Sequence, residues 1–268
     1  TEAPWVDGIF SLALGVGFVD SDDSQFSSDT VFKLQGDARV RFGDADGLSF
    51  QLETLGNYAG LFNDDGDAES AFNAFQAGAH IFQRDSQSHA VGAFLSFSGT
   101  SAIDDDSKAG TLLVGAEMAQ FADNSTYVLQ GGYAKDVLND GDSWTDGWFA
   151  RGILRHFITP HSKLEAEVAY GGGSFDRSDE GDPFGLTWGI EYEHQVDMSP
   201  VSYFARYEGW HVDLDDDDDD THTATEHAVR IGLRTRFGFG SLLEQDQYGA
   251  GTFDLFDTAA FAGVPDEL

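Results

Sequence analysis

Cysteine is absent, so neither a disulfide framework nor a thiolate metal site can hold this chain together. Proline is scarce, at 5 in 268 residues. Cations are scarce too: 14 Lys+Arg stand against 48 Asp+Glu, a formal net charge of -34. A chain so negative repels phosphate, which argues against a nucleic-acid partner and for cations or a salty setting. No apolar run reaches 18 residues, so no transmembrane helix is expected. The longest clean run, FSLALGVGFV at 10–19, is too short for a helical span. No signal peptide is visible at Thr1, as expected of a mature, processed form.

What the chain does have is glycine and aromatics: Gly 32 and Phe 23, within a hydrophobic fraction of 41%. That fraction excludes wholesale disorder, and the Gly/Phe balance favours an all-β protein with many turns. The decisive signal is a period of two. In HAVRIGLRTRF (227–237), Val229, Ile231, Leu233 and Phe237 alternate with Arg230, Arg234 and Arg236. In FSLALGVGF, Phe10, Leu12, Leu14, Val16 and Phe18 alternate with Ser11, Ala13, Gly15 and Gly17. FKLQGDARVRF, LSFQLET, KLEAEVAY and LTWGIEYEH alternate in the same way. Such a pattern makes strands with one apolar and one polar face.

Twelve segments qualify: 8–19, 31–43, 48–58, 71–83, 90–98, 111–121, 126–135, 147–158, 163–171, 185–196, 201–212 and 227–238. Most exceed the usual five or six residues and match the length that crosses a bilayer at a tilt. Their connections alternate in kind. Short ones lie at 44–47, 84–88, 122–125, 159–162 and 197–200; long ones lie near 20–30, 59–70, 99–110, 136–146, 172–184 and 213–226. The long set holds 27 of the 48 carboxylates, with Lys108 and Arg177 as its cations. The period breaks after 238, which divides the chain into a barrel at 1–238 and a C-terminal extension at 239–268.

In these features the chain resembles the bacterial outer-membrane β-barrels of about twelve strands. The likeness is one of architecture over 8–238, and RTRF, ending at Phe237, is similar to the aromatic-ended closing strand of such proteins. The resemblance implies a closed antiparallel up-and-down transmembrane barrel in the outer membrane, with short periplasmic turns and long acidic extracellular loops. It implies contact with the lipid bilayer and lipopolysaccharide. Known members include narrow channels for acidic oligosaccharides or nucleosides, lipid-acting surface enzymes and autotransporter pores.

Lipid on the outside puts the apolar face outward and the polar face into the lumen. Lys33, Arg39, Arg41, Arg206, Arg230, Arg234 and Arg236 then share one basic wall, with the small residues of 11–17 between them. Glu165, Glu167, Glu191 and Glu193, with Glu53, supply lumenal acid elsewhere. Arg151 and Arg155 share their parity with Ile153, which leaves their face open. Two readings follow: a porin-like passive channel for small charged solutes, or a non-conducting structural protein whose lumen is filled by salt bridges or the tail. The extension, rich in Phe and Leu, either plugs the lumen or docks on a periplasmic partner or a second subunit, docking being favoured.

The acidic connections suggest weak Ca²⁺ sites: Asp64, Asp65 and Asp67 in one, Asp140, Asp142 and Asp146 in another, with oxygen ligands at alternate positions beside a glycine. The solvated acidic loop is the commoner arrangement. His211, Asp213, His222 and His227 cluster at the outer mouth, where Zn²⁺ is conceivable but isolated histidines are commoner. No cofactor is otherwise expected. Ser88-His89 and His161-Ser162 fall in periplasmic turns, away from the rim where a surface enzyme would work, so no enzyme is expected. Tyr58, Trp148, Tyr170, Trp188, Tyr203 and Tyr207 face outward, where those near strand ends suit an aromatic girdle.

Overall fold

The computed structural model describes residues 4–21, 29–62, 68–102, 108–137, 144–175, 184–197, 199–215 and 221–257. Twelve strands follow one another: β1 (Val6–Ser21), β2 (Asp29–Gly43), β3 (Gly47–Phe62), β4 (Ala68–Asp85), β5 (His89–Ala102), β6 (Lys108–Ala122), β7 (Ser125–Asp136), β8 (Trp144–Thr159), β9 (Ser162–Phe175), β10 (Phe184–Gln195), β11 (Val201–Asp215) and β12 (Thr221–Phe237). Each pairs antiparallel with its chain neighbours, and β12 pairs with β1 from Gly8↔Phe237 to Ser21↔Ala224. The barrel is closed. Closure leaves no strand edge unpaired, which is what hydrocarbon demands of a sheet.

The outer face is apolar over its whole circumference. Leu12, Leu14, Leu95, Leu129, Val168, Ile190, Ile231 and Leu233 all point out, Ile231 at 65% exposure and Leu233 at 60%. A band of this extent is untenable in water and is the surface a bilayer covers. Trp148, Tyr170, Tyr203 and Tyr207 are exposed on the same face.

The strands run 12 to 18 residues, longer at most ends than the alternating pattern. β12 begins at Thr221, six residues before the alternation reads clearly, and β4 begins at Ala68. The reason is physical. Alternation is imposed only where one face meets lipid; beyond the bilayer both faces are wet, yet the hydrogen-bond ladder continues.

At Gly238 the backbone turns with φ +105, a conformation that favours glycine. The chain then folds back under the barrel mouth. Ser241 caps a short helix, α1 (Leu242–Tyr248), its hydroxyl accepting from the Glu244 amide at 3.2 Å. The Leu243 amide donates to the Pro160 carbonyl at 3.1 Å, tying the helix to the β8–β9 turn. Residues 249–257 continue into the lumen, as the plugging alternative has it for this part of the extension; residues 258–268 lie outside the described residues. Both apolar clusters of the described residues are therefore lumenal. Phe82, Ala90, Ala119, Phe121, Val128 and Ile153 of the wall pack around Phe253. Phe94, Leu113, Phe149 and Ala169 pack around Leu255 and Phe256.

Candidate functional site in the barrel lumen

Eleven of the 14 cationic side chains line the lumen: Lys33, Arg39, Arg41, Arg84, Arg151, Arg155, Lys163, Arg206, Arg230, Arg234 and Arg236. Whole-chain acidity therefore misdescribes the interior. The β10–β12 side is a ladder of ion pairs. Arg236 pairs with Glu193 and donates to Ser202 at 2.6 Å. Arg234 reaches across β11, its guanidinium 4.0 Å over the Phe204 ring, to Glu191 and to Glu193 at 2.8 Å. Arg206 meets Glu167 at 2.8 Å and Glu208 at 3.0 Å. Glu208 also pairs with Arg230, which faces Arg206 directly across the two strands. Lys33 closes the ladder on Glu226.

Local sequence explains how so many long side chains fit. Gly15 lies between Lys33 of β2 and Arg230 of β12. A Cβ there would collide with the Arg230 side chain and with the Val229 carbonyl. The small residues of β1 thus leave the width that Arg230 needs. The wall anticipated as basic is ion-paired instead: Arg206, Arg230, Arg234 and Arg236 have carboxylates on β9, β10 or β11 as partners.

The opposite side, β2 to β9, holds the tail. Asp254 takes Arg151 at 3.0 Å, with Arg39 at 3.8 Å and Arg155 at 3.6 Å around it. Asp246 takes Arg155 at 3.0 Å and the Thr126 hydroxyl at 2.5 Å. Asp257 accepts from Asn57 at 3.1 Å and Gln35 at 3.3 Å. His80 is buried between Glu117 at 3.0 Å and Glu53 at 3.5 Å, its ring stacked on Phe253. Glu53 also pairs with Arg39 at 3.3 Å. Arg155 and Arg151 keep wall partners as well, Glu165 at 2.8 Å and Glu167 at 2.7 Å. The parity left open for β8 is thus lumenal.

Arg41 serves a different purpose. It is fully buried at the periplasmic end, held by Asp7 at 2.6 Å and by the Gly43, Asp44 and Pro4 carbonyls. It ties the N-terminal residues to the first turn.

Sequence reasoning missed Asp7, His80, Arg84, Glu117, Glu208, Glu226 and the glutamines 51, 76 and 130. A usable signal existed in β4 and β8. Their lumenal rows read Gln76, Gly78, His80, Phe82, Arg84 and Phe149, Arg151, Ile153, Arg155, Phe157. Phenylalanine and arginine on one inward face make sense only if something packs inside.

Of the anticipated calcium ligands, Asp64, Asp65, Asp67, Asp140 and Asp142 lie outside the described residues, as does the Asp146 side chain. His211 bonds Asp213 at 2.9 Å and Thr225 at 2.7 Å, while His227 bonds Tyr207 at 2.7 Å. His211 and His227 thus take separate partners, and the His222 side chain lies outside the described residues. Ser88 bonds His89 at 2.7 Å, whereas Ser162 bonds His194 at 2.7 Å and His161 bonds Gln195 at 2.9 Å.

No family model and no curated protein matches the sequence. Solved structures do match. An outer membrane channel from Pseudomonas putida F1 is 12% identical, with a TM-score of 0.61 over 88% of this chain and 97% of that one. This chain has the fold of a bacterial outer-membrane β-barrel. The translocator domain of the autotransporter NalP from Neisseria meningitidis matches at 11% identity and TM-score 0.53, over 87% of this chain and 89% of that one. The β domain of the Bordetella autotransporter BrkA matches at 10% and 0.51, over 86% and 99%. Likeness at such identities establishes the barrel fold, not its cargo.

Proposed function

We propose that the protein is a passive outer-membrane channel for small charged solutes, held shut in this conformation by its own C-terminal segment. One observation carries the reading. Among the described residues, the part of the tail inside the lumen, 249–257, joins the wall through side chains and not through a strand ladder. A segment held this way can leave without opening the sheet. Beside it, the charged wall stays water-accessible: Lys33 is 20% exposed, Glu208 16% and Arg206 15%. A charged lumen orients and selects ions and small charged solutes. The P. putida barrel, named as an outer membrane channel, supports the same class.

The apolar packing of Phe253 and Phe256 favours a second reading, a barrel permanently filled and non-conducting. Planar-bilayer recording separates the two. The channel reading expects rare or small conductance steps from the full chain. It expects frequent larger ones from full-length Phe253→Ala, in which the aromatic anchor is lost. A silent Phe253→Ala barrel that is correctly folded sinks the channel and leaves the filled barrel.

A further inference from the structure

The way the wall holds residues 249–257, a turn at 249–252 followed by 253–257, is the way a binding site holds a peptide. Six carbonyls of the segment are met by side chains. Arg84 donates to Gly249 at 2.9 Å. Arg155 donates to Gly251 at 2.7 Å and Thr252 at 2.8 Å. Gln51 donates to Phe253 at 2.9 Å, Gln130 to Asp254 at 2.7 Å and Gln76 to Phe256 at 3.0 Å. The Leu255 amide donates to Glu53 at 3.1 Å. These contacts read backbone and not sequence.

Sequence is read in between. Phe253 stacks on His80 and meets Phe82 edge-on, centroids 5.1 Å apart. Phe256 stacks on Phe149 at 4.7 Å. Asp254 lies among Arg39, Arg151 and Arg155. Leu255 sits where a Cβ on Gly78 would stand 2.9 Å from its Cδ1, so that glycine is part of the pocket. Two aromatic pockets, an arginine cluster and a row of amide and guanidinium donors form a built site from five strands. Its contact is incompletely satisfied: Gln51 Oε1, Gln76 Oε1 and Arg84 Nε and Nη1 are buried without a hydrogen-bond partner among the described residues.

The geometry points to a peptide receptor in the lumen, whose ligand is a segment with the order aromatic, acidic, aliphatic, aromatic, as in Phe253, Asp254, Leu255 and Phe256. Residues 249–257 fill it in cis, and a periplasmic polypeptide bearing such a segment fills it in trans when the tail withdraws. Binding tests the site whether or not the barrel conducts. The protein is the full chain carrying Phe253→Ala and Asp254→Asn, which loosens the tail and leaves the wall intact. The probe is a fluorescein-labelled peptide GAGTFDLFD, the sequence of residues 249–257, followed by anisotropy in detergent.

Saturable binding is expected. It should weaken about tenfold or more when the peptide carries the same two changes, since an aromatic anchor and a charge pair are lost. Adding Arg151→Gln to the wall should weaken the native peptide likewise. The unmodified chain, its site filled, should bind least. Equal binding of native and altered peptides overturns the proposal. So does no binding to a variant whose barrel is intact by its heat-shifted gel mobility. If the double variant does not fold, full-length Phe253→Ala takes its place with the same criteria. Light scattering of the unmodified chain should give a monomer mass; a dimer mass would make a second copy the occupant and overturn a separate polypeptide.

Discussion

At the scale of single residues, the lumen shows what each side chain is for by what its removal would leave behind. Arg234 neutralises Glu191 and Glu193, which are 1% and 0% exposed. Taking one partner from a buried pair strands the other charge, at a cost of about 3–5 kcal/mol. Lys163 at 3.8 Å and Arg236 remain for these glutamates, so Arg234→Ala should fall at the low end, about 3 kcal/mol. Denaturant unfolding in micelles measures it. Adding Glu191→Gln should recover part of the loss, because the stranded charge is gone; a purely additive double variant contradicts the pairing. On the other face of the same strand, Ile231→Arg should cost about 2–4 kcal/mol if it lies at mid-bilayer, through desolvation alone. The two positions on β12 thus carry comparable penalties for opposite reasons.

Elements add connections that no single residue shows. The periplasmic turns are tied to each other: the Ser86 amide donates to Asp46 at 2.7 Å. Bonds from Ser86 hold the Asp46 carboxyl below the usual carboxylate range. A depressed acid contributes stability above its ordinary pKa and loses it as pH falls through the folded value. Thermal unfolding across acid pH should therefore show a small loss that Asp46→Asn removes; an unchanged profile in the variant refutes the tie. The strands were legible in sequence because lipid forces alternation on β1–β3 and β9–β12, where small or charged residues occupy the other face. β4, β5 and β7 alternate less cleanly in sequence, for a structural reason. Phe82, Phe94 and Val128 point inward and pack on the tail, so apolar residues occupy both faces and the period blurs. The same fact hid Arg151 and Arg155. Their lumenal role requires knowing where Asp246 and Asp254 lie, and that contact spans about a hundred residues of sequence that no local pattern encodes.

The whole molecule sets two fields against each other. The wall brings eleven cations inward, while the long connections hold 27 of the 48 carboxylates. With the tail in place, Asp246 and Asp254 offset Arg39, Arg151 and Arg155. With the tail out, those arginines and Arg84 face the pore with fewer counter-charges, and the lumen alone should prefer anions. The acidic connections act from outside it, and their reach depends on salt. The screening length is about 3 Å at 1 M and about 10 Å at 0.1 M. At 1 M the connections are screened from the pore interior and the arginines decide; at 0.1 M their field extends into the mouth and recruits cations. Full-length Phe253→Ala, opened in a planar bilayer under a potassium chloride gradient, should therefore show a reversal potential of anionic sign near 1 M that moves toward cationic sign near 0.1 M. The same sign at both salts would mean that one field governs throughout. A cationic sign at 1 M would show that the arginines remain matched by wall glutamates after the tail has gone.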